Sequence, residues 1–298
     1  MSDSAGNFLD LPSEFSDPAT AKYIILPVPY EGTVTFGRGA SGGPAAIIAA
    51  SHQVEWFDEE LLGEFYHAGI ATLEPVAPAD TPTEQMDRIR TAAQPHVQAG
   101  KFLLTLGGEH SITVPLVEAA ADHYGGISVV QIDAHADLRD TYNGTKHSHA
   151  CVMRRILEIT DRIAQVGIRS FSREEYDACT GRAADFITPK MAADGSMSLT
   201  TGDPDWIDRV LALLGDKVYL TVDIDGFDPS EAPGTGTPEP GGLTWPQVTG
   251  LIRRLAAERS IVAADIVEVS PVPGSRVTEF LAARLAYKII AYTQTDRD

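Results

Sequence analysis

The sequence is poor in cysteine and in basic residues, and it has no long apolar run. Cys151 and Cys179 are its only cysteines, which argues against a disulfide framework and fits a reducing cytoplasm. No apolar run approaches the roughly 18 residues that a membrane-spanning helix needs. The N-terminal stretch is acidic and polar, and it lacks the basic and then apolar order of a signal peptide. We therefore expect a cytoplasmic protein without a membrane segment.

The shortage of basic residues leaves the chain strongly acidic. It has 23 Lys and Arg against 42 Asp and Glu, a formal net charge of −19. Such a charge repels nucleic acid and anionic membranes and attracts a cationic ligand. A saline habitat would explain the same excess, and part of it could be carboxylates that a metal neutralises. The charge thus predicts no nucleic-acid or membrane partner and leaves a cationic substrate as one of several explanations.

What the sequence does contain is a regular alternation of short β-branched runs with helix-like stretches, and 43% of its residues are hydrophobic. Near-continuous apolar strands that alternate with helices are typical of a parallel sheet covered on both faces. Glycine and proline concentrate in 32–44 and 229–246, which predicts two long ordered loops. We predict a single domain of the α/β class. Its predicted strands are 23–28, 102–106, 127–132, 163–168, 218–224 and 261–269, and its predicted helices are 44–50, 83–99, 111–123, 150–159, 204–214, 245–259 and 276–293.

Acids and histidines follow four of these predicted strands. Asp133, His135 and Asp137 lie two residues apart directly after the apolar run 127–132. Ligands of open parallel sheets bind outside the carboxyl ends of the strands, so side chains at these ends should meet. Buried carboxylates are costly unless cations compensate, so we expect a divalent metal beside them. The candidates at the four strand ends are His110; Asp133, His135 and Asp137; Asp223 and Asp225; and Glu268. Glu109 is expected only to stabilise the turn or helix start beside His110.

The donor set narrows the choice of metal. Carboxylates and imidazoles without a thiolate suit hard or borderline divalent ions, of which Mn2+ fits best. A calcium EF-hand loop beginning at Asp223 would need glycine at its sixth position and glutamate at its twelfth, where the chain has Asp228 and Gly234. An Asp-x-His string also begins the metal site of many metallophosphoesterases, which leaves that class of enzyme as an alternative.

Three segments carry a resemblance to a known family. GGEHS (107–111), DAHADLRD (133–140) and DIDGFDPSEAPGTGTPEPGG (223–242) resemble the three signatures of the ureohydrolases, the arginase and agmatinase family. The likeness runs from about Tyr23 to the C-terminus and includes VPYEGTVTFGRGASGGPAAI (28–47). It implies a three-layer α/β/α sandwich with one central, mostly parallel sheet and a binuclear centre of two Mn2+ per chain. It also implies one catalytic domain over 1–298, with 1–20 as an N-terminal extension, and a homo-oligomer, either a trimer or a hexamer.

The same resemblance assigns roles to the candidate residues. Glu268 would grip a guanidinium group, and His149 would shuttle protons, although Ala150-Cys151 follow it where the family more often has Gly-Thr. Asp137 would accept a hydrogen bond from the attacking hydroxide and relay a proton to the departing amine. One ion would be held by His110, Asp133, Asp137 and Asp223, and the other by Asp133, His135, Asp223 and Asp225, so that Asp133 and Asp223 bridge the two.

The substrate is the least constrained prediction. The stretch 138–146 lacks the Asn and Thr/Ser-rich pattern with which arginases read arginine, and GIRSFSREE (167–175) looks like agmatinases. We therefore favour agmatine, cleaved to putrescine and urea. N1-aminopropylagmatine, 4-guanidinobutyrate, guanidine and arginine remain alternatives, and an acidic substrate would require a fixed cation such as Arg139 or Lys146.

Two readings from other classes remain open. A metallophosphoesterase should also show a Gly-Asn-His-Asp-type string, which is absent from the sequence. A catalytically silent metal-binding subunit would be expected to have lost ligands, whereas all six positions are filled.

Overall fold

The protein is described by a computed structural model that covers residues 6–179 and 205–295, together with the two-residue strands 186–187, 190–191 and 197–198 between them. Pro204, where one helix is predicted to begin, lies outside these residues.

The centre of the fold is an eight-stranded sheet in which every neighbouring pair of strands is parallel. Two further pairs of two-residue strands, β2–β3 and β9–β10, are antiparallel. The strands in chain order are β1 Tyr23–Val28, β2 Phe57–Asp58, β3 Gly63–Glu64, β4 Ile70–Thr72, β5 Phe102–Gly107, β6 Ser128–Ile132, β7 Ile163–Val166, β8 Phe186–Ile187, β9 Lys190–Met191, β10 Met197–Ser198, β11 Lys217–Asp223 and β12 Ser260–Val267. Their order across the sheet is β4-β1-β5-β12-β11-β6-β7-β8.

Helices cover both faces of this sheet, which confirms the predicted three-layer α/β/α sandwich. One face packs against α1, α6, α7 and α8, and the other against α2, α3 and α4. The helices are α1 Gly43–Ser51, α2 Pro82–Gln98, α3 Thr113–Tyr124, α4 Val152–Ile156, α5 Arg173–Cys179, α6 Trp206–Ala212, α7 Trp245–Glu258 and α8 Val277–Tyr292. No described helix has the length and hydropathy needed to cross a membrane.

The two hydrophobic layers follow from the alternation of side chains along each strand. Ile25 faces the layer that contains α8, whereas Ile24 and Leu26 face the layer that contains α2. Successive residues of a strand point to opposite faces, so a strand buried on both sides is apolar throughout. Residues before β1 join the first layer: Phe8 and Leu9 are fully buried there.

The two glycine- and proline-rich segments are ordered loops, as predicted, and single side chains hold each of them. Glu31 accepts hydrogen bonds from the backbone of Gly39 and from Ser41 in the first loop. Asp228 accepts the backbone N–H groups of Gly241 and Gly242 in the second. These bonds satisfy backbone donors that have no strand or helix partner.

Element boundaries differ from the sequence predictions in several places. Strand β4 and helix α5 are not among the predicted elements, and β4 is only three residues long. The helix expected over 150–159 is a 3-10 turn, His149–Cys151, followed by the single-turn helix α4. The helix expected to begin at Ser111 begins at Thr113, after the 3-10 turn His110–Ile112.

Candidate metal centre

Four neighbouring strands bring the candidate residues together. Strands β5, β12, β11 and β6 are adjacent in the sheet, and each ends at the same edge. His110 follows β5 and Glu268 follows β12. Asp223 is the last residue of β11, Asp225 comes just after it, and Asp133 and Asp137 follow β6. The ends of parallel strands share one edge, which is why residues more than 100 positions apart in the chain meet here.

Gly108 allows the strand ends to approach so closely. A Cβ atom on Gly108 would lie 2.0 Å from the backbone oxygen of Tyr30, so no other residue fits. The Gly108 N–H donates to Val28, and its carbonyl accepts the N–H of Glu268 at 2.8 Å. This glycine therefore ties the ends of β1, β5 and β12 into one site.

The first half of the cluster surrounds His110. Its Nδ1 lies 3.0 Å from Asp133 Oδ2, 3.1 Å from Asp137 Oδ2 and 3.4 Å from Asp223 Oδ2. All four side chains are buried. His110, Asp133 and Asp137 form one group whose ligand atoms could hold a metal ion.

The second half surrounds His135. Its Nδ1 lies 3.0 Å from Asp225 Oδ2 and 3.6 Å from Asp133 Oδ1, and these three residues form the second group able to hold a metal. Asp133 thus turns one oxygen toward each imidazole. A carboxylate in that position can bridge two ions.

The hydrogen bonds of His110 test whether a cation fits this cluster. Its Nε2 lies 2.9 Å from Thr221 Oγ1, whose hydroxyl lies 2.6 Å from Asp265 Oδ1. The hydroxyl has one hydrogen, which goes to the carboxylate, so Nε2 must donate and Nδ1 carries the lone pair of the neutral ring. Among the described residues, buried Nδ1 has no hydrogen-bond partner, and it faces three carboxylates. A cation between Nδ1 and the carboxylate oxygens would be attracted by the lone pair and by the negative charges, so the arrangement suits a metal ion.

The carboxylates also repel one another in this buried site. Burial and the charge of Asp133 raise the pKa of Asp137 to about 7, and burial and the nearby Glu109 raise the pKa of Glu268 to about 8. Two cations would relieve this repulsion and return the acids to their ionised forms.

Asp137 and Glu268 also adopt unusual backbone conformations. Their φ angles are 52° and 61°, in the left-handed region that residues other than glycine rarely occupy. Strain of this kind persists only where surrounding contacts enforce it, and it clusters at functional sites. For Glu268 one such contact is the backbone N–H of His110, which donates to Oε1 at 2.7 Å.

A cavity of about 310 Å³ opens above the cluster. Every predicted site residue lines it, including His149, except Asp133, which is fully buried behind the others. Its wall also carries the aromatic rings of Phe36, Tyr142 and Phe171. Arg139 lines the cavity but lies over the Tyr142 ring with its Nε 3.9 Å from Glu175, whereas Lys146 does not line it.

Comparison with known proteins identifies the family. The model of the arginase family matches residues 21–291. The chain belongs to the arginase family. It is 39% identical to the N(1)-aminopropylagmatine ureohydrolase of Synechocystis over 92% of this chain and 90% of the relative, and 33% identical to the agmatinase of Pyrococcus horikoshii over 92% and 93%. The crystal structure of agmatine ureohydrolase of Thermoplasma volcanium matches with a TM-score of 0.84 and 33% identity, covering 95% of this chain and 93% of that one.

This membership confirms the resemblance of the three signatures and the prediction of a ureohydrolase. The family model begins at residue 21, so the buried segment around Phe8 lies outside it.

Several supporting residues of this arginase-family site are not among the site residues predicted from the sequence. Gln131 donates to Asp133 Oδ2 at 2.6 Å, and Gln165 donates to Gln131. Arg169 donates to the backbone oxygens of Asp225 and Glu239 at 2.7 Å, which fastens the second loop beside the cluster. Their one signal in the sequence is a polar residue inside or just after an otherwise apolar strand.

Proposed function

We propose that this chain is a binuclear-manganese hydrolase that cleaves the guanidino group of a polyamine-type substrate to urea and an amine, with water as the second reactant. One observation carries the proposal. Two histidine–carboxylate groups share Asp133 and open into a single cavity that also contains Glu268. His110, Asp133, Asp137 and Asp223 would hold one ion, and Asp133, His135, Asp223 and Asp225 the other.

Two divalent cations held there would lower the pKa of a water molecule, so that hydroxide is available near pH 7. The protein residues then divide the remaining tasks. The carboxylate of Glu268 binds the planar guanidinium and orients its central carbon. Asp137 accepts a proton from the attacking water and passes it to the departing amine. His149, at the cavity wall, exchanges protons with solvent.

The substrate we infer is an N1-substituted agmatine, which places N1-aminopropylagmatine ahead of agmatine. The Synechocystis relative with that name is 39% identical, whereas the Pyrococcus agmatinase is 33% identical. The aromatic rings on the cavity wall suit the alkyl chain and the ammonium groups of a polyamine. Arg139 lies close to Glu175, which argues against 4-guanidinobutyrate and arginine, because each carries a carboxylate that would need a fixed cation in the cavity.

Urea release with Mn2+ tests this assignment across N1-aminopropylagmatine, agmatine, 4-guanidinobutyrate, guanidine and arginine. We expect kcat/KM to be highest for N1-aminopropylagmatine, with agmatine second. Preference for arginine would overturn the substrate assignment while leaving the hydrolase intact. No urea from any of the five compounds would overturn the proposed activity.

We further propose that the chain acts as one catalytic domain. The cytoplasmic location and the homo-oligomeric trimer or hexamer stay predictions.

A further inference from the structure

A chain of hydrogen bonds leads from His149 at the cavity wall to a buried acid that has no role in the proposed reaction. Glu109 is fully buried between the ends of β1 and β5. Its Oε2 accepts the backbone N–H of Thr33 at 2.6 Å, and its Oε1 accepts the hydroxyls of Thr33 at 2.7 Å and Ser111 at 2.6 Å. These three bonds fix the carboxylate and, through it, the hydroxyl of Thr33.

The hydroxyl of Thr33 has two further contacts, both with His149. Its Oγ1 accepts the backbone N–H of His149 at 3.1 Å and lies 3.1 Å from the ring Nδ1. A hydroxyl offers one hydrogen and two lone pairs. The hydrogen goes to Glu109, so both contacts with His149 must be donated by the histidine. Nδ1 therefore carries a proton, and Nε2 of the neutral ring carries the lone pair.

We propose that Thr33, held by Glu109, is a positioning residue that fixes His149 as the Nδ1–H tautomer and leaves Nε2 as its proton acceptor at the cavity. The inference rests on the proposed function, in which His149 moves protons. Without the hydroxyl, Nδ1 would lose its shorter contact, at 3.1 Å, and keep only the one of 3.5 Å with Ser148 Oγ, so the acceptor that selects the tautomer would be gone. Glu109 would then contribute to catalysis through Thr33, beyond stabilising the turn beside His110.

The same arrangement recurs on the other side of the site, at His110. There Asp265 accepts the hydroxyl of Thr221, and Thr221 accepts the ring Nε2–H. Asp265 is itself fixed by the hydroxyls of Thr113 and Tyr219 at 2.9 and 2.7 Å. A carboxylate, a threonine and a histidine are joined in the same order at both places, but the opposite ring nitrogen donates.

Two substitutions at Thr33 distinguish the effect of its hydroxyl from the effect of the shape of its side chain. Thr33→Val keeps the shape and removes the hydroxyl, and Thr33→Ser keeps the hydroxyl. We expect T33V to lower kcat for urea release by on the order of 10-fold or more, since positioned proton transfer contributes at least that much. KM and the metal content should stay near the wild-type values, and T33S should retain most of kcat. Thr91→Val makes the same change on the exposed surface of α2 and serves as the matched control.

A double-mutant cycle with His149→Asn shows whether Thr33 acts through the histidine. T33V should cost no further kcat in the H149N background, because the group that it positions is already gone. An equal loss in both backgrounds, or a T33S variant as impaired as T33V, would overturn the positioning role. If the wild type releases urea and T33V is unimpaired, only this inference fails. If the wild type releases no urea, the proposed function itself fails.

A spectroscopic measurement tests the tautomer without any change at Thr33. In 15N-histidine-labelled enzyme loaded with diamagnetic Zn2+, NMR reports which ring nitrogen of His149 is protonated, and the H149N variant identifies its signals. A protonated Nδ1 with an unprotonated Nε2 is the expected result. The reverse pattern, or an equal mixture, would overturn the inference even if T33V did not fold.

Discussion

Single atoms decide what the cluster can bind. Each oxygen of Asp133 faces a different imidazole, and Nδ1 of His110 meets three carboxylates without a hydrogen-bond partner in the described part of the chain. A neutral imidazole there would turn its lone pair toward buried anions that repel it unless a cation lies between them. The geometry therefore favours two shared cations over a structural network of polar side chains.

A substitution of Glu268 tests its proposed role in binding the substrate. Its carboxylate is held by the backbone N–H of His110 and lines the cavity, but it belongs to neither group of potential metal ligands. We expect Glu268→Gln to lower kcat/KM for urea release by roughly 100-fold or more, because the proposed bidentate charge-assisted contact with the guanidinium would be lost. Metal analysis of the same sample should still give about two ions per chain.

The control for this variant is Glu174→Gln, which makes the same change at an exposed position in α5. It should retain wild-type kcat/KM. Loss of metal from E268Q would show that Glu268 supports the metal centre instead of binding substrate.

The sequence predicts which residues face the site but not how their protons are arranged. His110, the aspartates and Glu268 could be found because each follows an apolar strand. Thr33 and Glu109 are 76 positions apart and Thr221 and Asp265 are 44 positions apart, and no local pattern links either pair. Their pairing depends on the close approach of strand ends, which only the folded sheet provides.

Long strands and amphipathic helices are predictable because their apolar periodicity is repeated over many residues. Strand β4 has three residues and lies at the edge of the sheet, so its pattern is too short to distinguish it from a loop. The two long loops are predictable as loops from glycine and proline. Their shape depends on single acceptors such as Glu31 and Asp228, which are visible only in the fold.

Helix α8 contributes Lys288 to a cluster of ion pairs with Asp58 and Glu60. Lys288 is buried and lies 2.9 Å from Asp58 Oδ2 and 3.0 Å from Glu60 Oε2. Burial acts to raise the pKa of Asp58, but hydrogen bonds from the Leu61 backbone and from Lys288 lower it below its ordinary value. The pKa of Lys288 is raised, because its bonds to the two acids outweigh the effect of burial.

The sign of each shift gives the pH window of stability. A lowered acid pKa stabilises the fold above the unfolded value of about 4, and this contribution is lost as the pH falls through the folded pKa. A raised lysine pKa stabilises below the unfolded value of about 10.4, and this contribution is lost as the pH rises through the folded pKa. The cluster therefore stabilises the fold most between about pH 4 and pH 10.

Lys288→Met tests this account, because it leaves buried Asp58 with only Arg284, at 4.0 Å, as a neighbouring cation among the described residues. We expect the free energy of unfolding in denaturant at pH 7 to fall by about 3–5 kcal/mol. The difference from wild type should shrink as the pH falls below about 4 and through the lowered folded pKa of Asp58. Lys146→Met, at an exposed position, should change little, and an equally large loss there would contradict the assignment.

The metal centre accounts for only a small part of the net negative charge of the whole molecule. Two divalent cations add four positive charges (2 × 2), whereas the formal net charge is −19. Most of the acidic excess therefore lies outside the cluster. This negative charge attracts a cationic substrate at long range, and it reduces affinity for nucleic acid and anionic membranes.

We expect guanidine hydrolysis by this chain to require two metal ions and Asp133 together. The direct measurement removes metal with a chelator, returns Mn2+ stepwise and follows both bound metal and urea release. We expect activity to be absent after chelation and to saturate at two ions per chain, whereas Asp133→Asn should neither retain both ions nor release urea. Asp161→Asn, an exposed change near the opposite end of the sheet, should behave as wild type. Full urea release by the chelated enzyme, or wild-type turnover in D133N, would contradict the account.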